Sequence, residues 1–442
     1  MSTVVKMSKK TVMSNAAISV GLDIKGNVRK IQTGKQVVNL VQNFGFYESH
    51  VGNNMDFNSR ASGAYIFRPV KQTPTPIPAK AAAKMYKGPL VQEVHQDAAP
   101  FASQIVRLYA GSDTNIEFNF VVGPIPIKDG KGKEIVTTYT TDLKSDSEFV
   151  TDSNGRQMLV RRRDSRPTWN LKSTEPVSQN YYPVNSRIGI EDSKKQLYMN
   201  VLTDRSQGGT SMKDGQIEVM LHRRILHDDA FGVGEALNEE AYGQGLVIRG
   251  RHWVQVTEGK EASAKKHRFW GQQVFMDSRI SFNPTELSFK DWQSKYAMER
   301  SLLNPNELPA NVHLLTLEEW THGQFLLRVE HIFDVHEHEY YSKPVTFLLR
   351  NLFKDFEITS ALELTLGANL EQDKLDRFKW NVVQDNGLGN DDEHDDDDDT
   401  SEDAFEKTET ENDNEEDSTL IVSLKPMQIR SFAVDMVPRK KK

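Results

Sequence analysis

Three residue patterns in this chain could carry chemistry: adjacent carboxylates, histidines near acids, and clustered arginines and lysines. Cleaving an acetal with two carboxyl groups requires them about 5–5.5 Å apart on either side of the bond. Adjacent acids include Glu191-Asp192 and Asp228-Asp229. Neighbours on a strand point to opposite faces, so neither pair is a ready dyad. His336 and His338, in Asp334-Val-His-Glu-His-Glu-Tyr-Tyr341, would share one face if that segment were a strand. Two His with an acid could hold a cation, but no third ligand is suitably spaced, which favours an exposed polar turn. His222, His227 and Asp228 form a second loose cluster with the same weakness. There is no Gly-x-Ser-x-Gly elbow, and with no cysteine there is no thiol nucleophile. Arg161-Arg162-Arg163 and Arg439-Lys-Lys-Lys442 are short and lack interleaved aromatics, so they read as solvated and no nucleic-acid partner is expected.

The elements that would position these residues are mostly strands. Ile18, Val20, Leu22 and Ile24 alternate with small or polar residues, and Lys25-Gly26-Asn27 supplies a turn. Ile116, Phe118 and Phe120 alternate with Glu117 and Asn119; Leu197, Met199 and Val201 share a face; Ile217, Val219 and Leu221 stand opposite Glu218 and His222. Period-two alternation predicts antiparallel sheets with one face buried and one wet. Asp129-Gly130, Asn154-Gly155, Gly208-Gly209 and Asp214-Gly215 punctuate these runs. No Gly-rich loop links a strand to a helix, which argues against a nucleotide-binding domain. The clearest helix candidate spans about 286–303, around Trp292, Tyr296 and Leu303. A second strand series begins at Pro309 and ends with Thr419–Leu424 and Gln428–Met436.

The chain has 442 residues, enough for two or three domains. Its net charge of −8 is misleading: residues 391–417 hold 17 Asp or Glu and one Lys, leaving the remainder at +8. Such a block is expected to stay solvated and disordered, and as a loop insertion it costs little stability. It lacks the spacing and turn glycine of a calcium loop. No run of about 18 apolar residues occurs, so no membrane partner is expected. The start does not read as a signal peptide, and the one candidate sequon, Asn283-Pro284-Thr285, has proline in the forbidden position.

Longer stretches carry more information. In order they are Ser62-Gly-Ala-Tyr-Ile-Phe-Arg-Pro69, Asp152-Ser-Asn-Gly-Arg-Gln-Met-Leu-Val-Arg-Arg-Arg163, Asn180-Tyr-Tyr-Pro-Val-Asn185, Leu202-Thr-Asp-Arg-Ser-Gln-Gly-Gly-Thr210, Gln216-Ile-Glu-Val-Met-Leu-His-Arg-Arg-Ile-Leu-His-Asp-Asp229 and Pro309-Ala-Asn-Val-His-Leu-Leu-Thr316. This series resembles the carboxy-terminal region of glycoside hydrolase family 38, in particular its lysosomal-type α-mannosidases. The likeness covers about residues 15–380 and the final strands.

The resemblance implies a mainly β chain. A disordered lead over 1–14 would precede a large antiparallel β-sandwich over 15–280, of the supersandwich, mutarotase-like kind. A connector with a short helix over 281–308 would follow, then a smaller immunoglobulin-like β-sandwich over 309–438 with the acidic disordered insertion 386–417, and a basic tail at 439–442. It also implies a zinc-dependent retaining α-mannosidase acting on terminal mannose of N-glycan oligosaccharides in the lysosome. The nucleophile, the general acid and the zinc ligands would belong to an amino-terminal catalytic domain, the expected partner. No catalytic residue or zinc ligand is assigned in this chain, and alone it is expected to be inactive. Tyr65 is the family position that reaches the sugar pocket; a phenol offers an O–H and an apolar ring. Where some relatives have Arg in an Asp-Asp-x-Arg-Gly stretch, this chain has Phe231, which can only stack or pack. Asp228 and Asp229 are expected to support that loop. Two other readings stay open, a non-catalytic carbohydrate-binding module and an interaction protein using the acidic insertion, as does homo-oligomer formation.

Overall fold

A computed structural model describes residues 3–78, 83–111, 114–276, 278–378 and 420–439. The acidic run 391–417 and the last three residues of the basic tail lie outside these. The chain divides into two compact units: Met1–Asn283 with Phe333–Ser342, and Pro284–Ile332 with Lys343–Lys442. Most of the expected connector 281–308 thus groups with the second unit, and Phe333–Ser342, inside the expected second sandwich, groups with the first.

The first unit is built on two antiparallel sheets, of ten and nine strands. Their inward-facing residues form one core. Val20, Leu40, Tyr139, Ile217 and Val219 come from the nine-stranded sheet; Phe118, Ile188, Met199, Val201 and Val254 come from the ten-stranded one. The alternation predicted at Ile18–Leu22, Ile116–Phe120 and Leu197–Val201 is the pleat of these strands. The other face is not uniformly wet, however: Glu117, Glu134 and Glu218 are all buried. A second layer of chain covers part of the nine-stranded sheet, with Phe67, Val177 and Tyr181 packing on Tyr47, Val136 and Met220.

The lead over 1–14 is not an unstructured arm through its described residues. Thr3–Val5 pairs with Lys84–Lys87, Val12–Ser14 pairs with Ile18–Leu22, and Met13 is fully buried. A helix escaped the sequence reading, namely α1, Lys260–Phe275, which follows Gly259 at a φ of 86°. Its buried face is Ser263, Ala264, His267, Arg268, Gly271 and Val274. That spacing is helical, but the residues are small or polar, so no apolar period betrays it. The predicted connector helix is shorter than expected: α2 spans Phe289–Lys295, capped by Ser288 Oγ, which accepts from the Asp291 N–H at 3.2 Å.

The second unit is a smaller sandwich. A four-stranded sheet runs Val312–Glu319, Phe325–His331, Ile429–Pro438, Phe356–Leu364, and Val345–Leu348 pairs with Ile421–Leu424. Leu327, Val329, Phe353, Ile358, Val422 and Val434 share its core.

Truncating Phe118 to Ala in the first core should cost about 3–5 kcal/mol, whereas Val160→Ala on the surface should stay within about 0.5 kcal/mol. Denaturant titration of both variants measures the contrast.

Candidate functional site

The Ser62–Pro69 loop crosses the covered face of the nine-stranded sheet, and buried charge decides where it lies. Glu134, on the strand Lys133–Thr141, is fully buried. Arg223, on the strand Gln216–Arg224, donates to its Oε1 from Nε at 2.9 Å and Nη2 at 2.6 Å. The same guanidinium donates to the carbonyls of Gly63 at 2.8 Å and Ile66 at 3.0 Å. Ser62 Oγ donates to Glu134 Oε1 at 3.1 Å and accepts from the Arg68 N–H at 3.1 Å. Burial pushes the Glu134 carboxyl up, against the opposing pull of Arg223 and the hydroxyls.

Within the loop, side chains divide by role. The Phe67 ring packs edge-on against Tyr47 at 5.5 Å and Tyr181 at 5.0 Å. Arg68 pairs with Glu175 at 2.6 Å. Beneath them Glu218 Oε1 accepts from the hydroxyls of Tyr47 at 2.9 Å and Tyr181 at 2.6 Å. Tyr65 points away from all of this and is 67% exposed.

A second loop meets the first at one carboxylate. Asp229 is completely buried. Its Oδ2 accepts from the N–H groups of Tyr65 at 2.7 Å and Ile66 at 2.9 Å, and its Oδ1 from that of Phe231 at 3.1 Å. Gly63 is required here, because a Cβ on it would lie 2.5 Å from Asp229 Cγ and 2.6 Å from its backbone nitrogen. Asp228 caps its own turn, accepting from the Ala230 N–H at 3.0 Å, and its carbonyl accepts from Asn54 Nδ2 at 2.6 Å. Phe231 is 47% exposed. One face of its ring is taken by the Arg60 guanidinium at 4.4 Å, with Phe57 tilted against it at 5.9 Å. Arg60 in turn donates to the carbonyls of Asp229 and Ala230.

The structure thus brings Tyr65, Asp229 and Phe231 together, with Asp228 beside them, and separates their tasks. The two aspartates organise backbone, while Tyr65 and Phe231 present rings to solvent. Sequence reasoning missed Glu134, Arg223 and Phe67. The available signal was a charged residue on each of two adjacent strands, beside an aromatic at the alternate position from Tyr65.

The histidine clusters do not converge. His336 and His338 lie in a turn, not on a strand face. His338 Nδ1 accepts from the N–H groups of Tyr340 at 3.1 Å and Tyr341 at 3.3 Å. His222 Nε2 donates to the Leu246 carbonyl at 3.1 Å. Among the described residues no three His, Asp or Glu side chains are grouped as metal ligands. Those residues therefore do not make a zinc site. Two of the three clustered arginines are engaged: Arg161 lies 4.3 Å over the Tyr182 ring, and Arg163 pairs with Asp214 at 3.0 Å.

Residues 13–231 match the family model described as "Glycosyl hydrolases family 38 C-terminal domain", and 311–432 match "Glycosyl hydrolases family 38 C-terminal beta sandwich domain". The chain is 46% identical over 341 residues to a lysosomal alpha-mannosidase of Homo sapiens, covering 77% of this chain and 33% of that protein. It is 38% identical over 373 residues to an alpha-mannosidase of Canavalia ensiformis, covering 82% and 37%. The chain spans about a third of the length of these relatives. An alpha-mannosidase structure from Enterococcus faecalis V583 superposes with a TM-score of 0.60 over 98% of this chain and 43% of that one, at 12% identity, a likeness of fold.

Two outcomes follow from the geometry. Removing the Asp229 carboxylate (Asp229→Ala) orphans three N–H groups and should cost about 3 kcal/mol or more. It should also expose Arg60 and Arg68 to trypsin in limited proteolysis. Glu218 has its pKa raised by burial, with the two tyrosine hydroxyls opposing. A carboxyl raised on folding contributes stability that is full below its unfolded pKa and is lost as pH rises through the folded one. Glu218→Gln, whose amide oxygen can still accept from both tyrosines, should therefore gain stability over the parent at neutral pH and little in acid. Unfolding free energy measured against pH tests this.

Proposed function

The chain belongs to the carboxy-terminal region of glycoside hydrolase family 38, and from that premise we propose that it is the non-catalytic β-sandwich part of an α-mannosidase. Its partner would be an amino-terminal catalytic domain supplying the nucleophile, the acid and the zinc site. The observation that carries this reading is Tyr65: an exposed aromatic on a loop fixed from beneath by Arg223, Glu134 and Asp229. Two of those charges, Glu134 and Asp229, are fully buried.

In this reading the Tyr65 hydroxyl exchanges a hydrogen bond with a mannose hydroxyl while its ring covers the sugar's C–H face. Phe231 narrows the rim by contact alone, since Arg60 already occupies one side of its ring. The substrate would be terminal α-mannose on N-glycan oligosaccharides. The compartment would be the lysosome, as the names of several relatives say of those proteins. A carboxylate of the catalytic part would attack the anomeric carbon, and water would release the glycosyl intermediate with retention.

The 442-residue chain alone should not hydrolyse 4-nitrophenyl α-mannoside, and turnover by it would overturn the proposal. Supplied with the amino-terminal region of a family member, it should restore turnover. Tyr65→Phe should then lower kcat/KM about 2- to 13-fold, one lost hydrogen bond of about 0.5–1.5 kcal/mol, with an unchanged denaturation midpoint. Unchanged kinetics would remove Tyr65 from the sugar site.

A further inference from the structure

The outer face of the ten-stranded sheet holds a separate cavity of about 490 Å³. Its size falls in the range of about 300–1,000 Å³ usual for small-molecule sites. On the strands Arg187–Asp192 and Leu197–Thr203, Ile188, Ile190, Leu197, Met199 and Val201 point into the sandwich core. Gly189, Glu191, Tyr198 and Asn200 alternate with them and line the cavity, which Ile190 also borders. Val150 and Met158 continue the floor; Ala264 and His267 of α1, with Val335 and His336, form the opposite wall.

Its polar groups are arranged as in a binding site. The Tyr198 hydroxyl donates to Glu191 Oε1 at 2.9 Å, leaving the other carboxylate oxygen open. Asn200 Nδ2 donates to Ser263 Oγ at 2.9 Å, which leaves the amide oxygen as an acceptor. On the α1 wall His267 is only 6% exposed; its Nδ1 is itself buried and without a hydrogen-bond partner among the described residues, and its Nε2 stands 3.8 Å from Glu337 Oε1. Burial, with Arg187 and Arg268 alongside, holds this imidazole well below its usual pKa, so it is neutral.

The lining also indicates which charge is welcome. Glu337 is neutralised by Arg268, which donates to its two oxygens at 2.7 and 2.8 Å. That leaves Asp146, Glu148, Glu191 and Asp334 against Lys144 and Lys260. An anion would meet an acidic wall, while a hydroxyl-rich neutral molecule would find carboxylate and amide acceptors over an apolar floor.

We propose that this cavity is a second saccharide site, taking one or two neutral hexose rings, remote from Tyr65 and distinct in its residues. The choice of a saccharide as ligand rests on the carbohydrate function proposed for the chain. None of the residues around Tyr65, Asp229 or Phe231 lines the cavity, so either reading can fail alone.

Ligand-observed NMR titration of the 442-residue chain with α-1,2-mannobiose and with methyl α-mannoside tests the site, with glucose 6-phosphate as the anionic probe. Saturable binding of a neutral sugar is expected. Val160→Trp, at an exposed position on the lip, should block it, and Glu191→Gln with Tyr198→Phe should weaken it about tenfold. Tyr65→Ala should leave it unchanged. Denaturation midpoints confirm that each variant is folded. A flat titration overturns the proposal. So do saturable binding that survives Val160→Trp, loss of binding in Tyr65→Ala, and glucose 6-phosphate binding as tightly as mannobiose.

Discussion

A carboxylate removed from water must be given partners, and at Glu134 those partners organise the whole surface above it. Arg223 neutralises it, but a guanidinium has more donors than one carboxylate oxygen can use. The remainder reach the carbonyls of Gly63 and Ile66, so one ion pair becomes a fastening for a loop. Removing Arg223 would strand Glu134 in a low-dielectric interior, a cost of about 3–5 kcal/mol. Asp229 repeats the arrangement from the other side, with backbone N–H groups in place of carbonyls.

The same logic accounts for the sheet being covered on both faces. Glu218 would be a poor choice for a buried position unless Tyr47 and Tyr181 were held against it. Those tyrosines in turn provide the walls between which Phe67 sits. Charge, aromatic packing and loop position are mutually dependent there, and a single alanine substitution would disturb all three.

How much of this was legible in the sequence varied by element. Alternation at Ile18–Leu22, Ile116–Phe120 and Leu197–Val201 revealed the strands and their core faces, because a pleat imposes period two. It could not say what covers the opposite face, so Glu218 read as solvated. The α1 helix was invisible because its inward face, Ser263, Ala264, His267, Arg268, Gly271 and Val274, carries only one large apolar residue. The grouping of Phe333–Ser342 with the first unit depends on contacts far apart in sequence, such as Arg268 with Glu337, which no local pattern encodes. Tyr65 and Phe231 stand out only through family resemblance, and the two aspartates also as adjacent acids. Their geometry was not legible, because three N–H groups converging on Asp229 is a property of the folded backbone.

Gly63 lies so close to Asp229 that no side chain larger than hydrogen fits between them. The backbone on either side of Tyr65 is thus held before any ligand arrives, and a sugar docking there would find only the Tyr65 rotamer still to be ordered. In entropic terms, most of the cost of immobilising that contact was met when the protein folded, so a single weak phenol hydrogen bond can count nearly in full toward affinity.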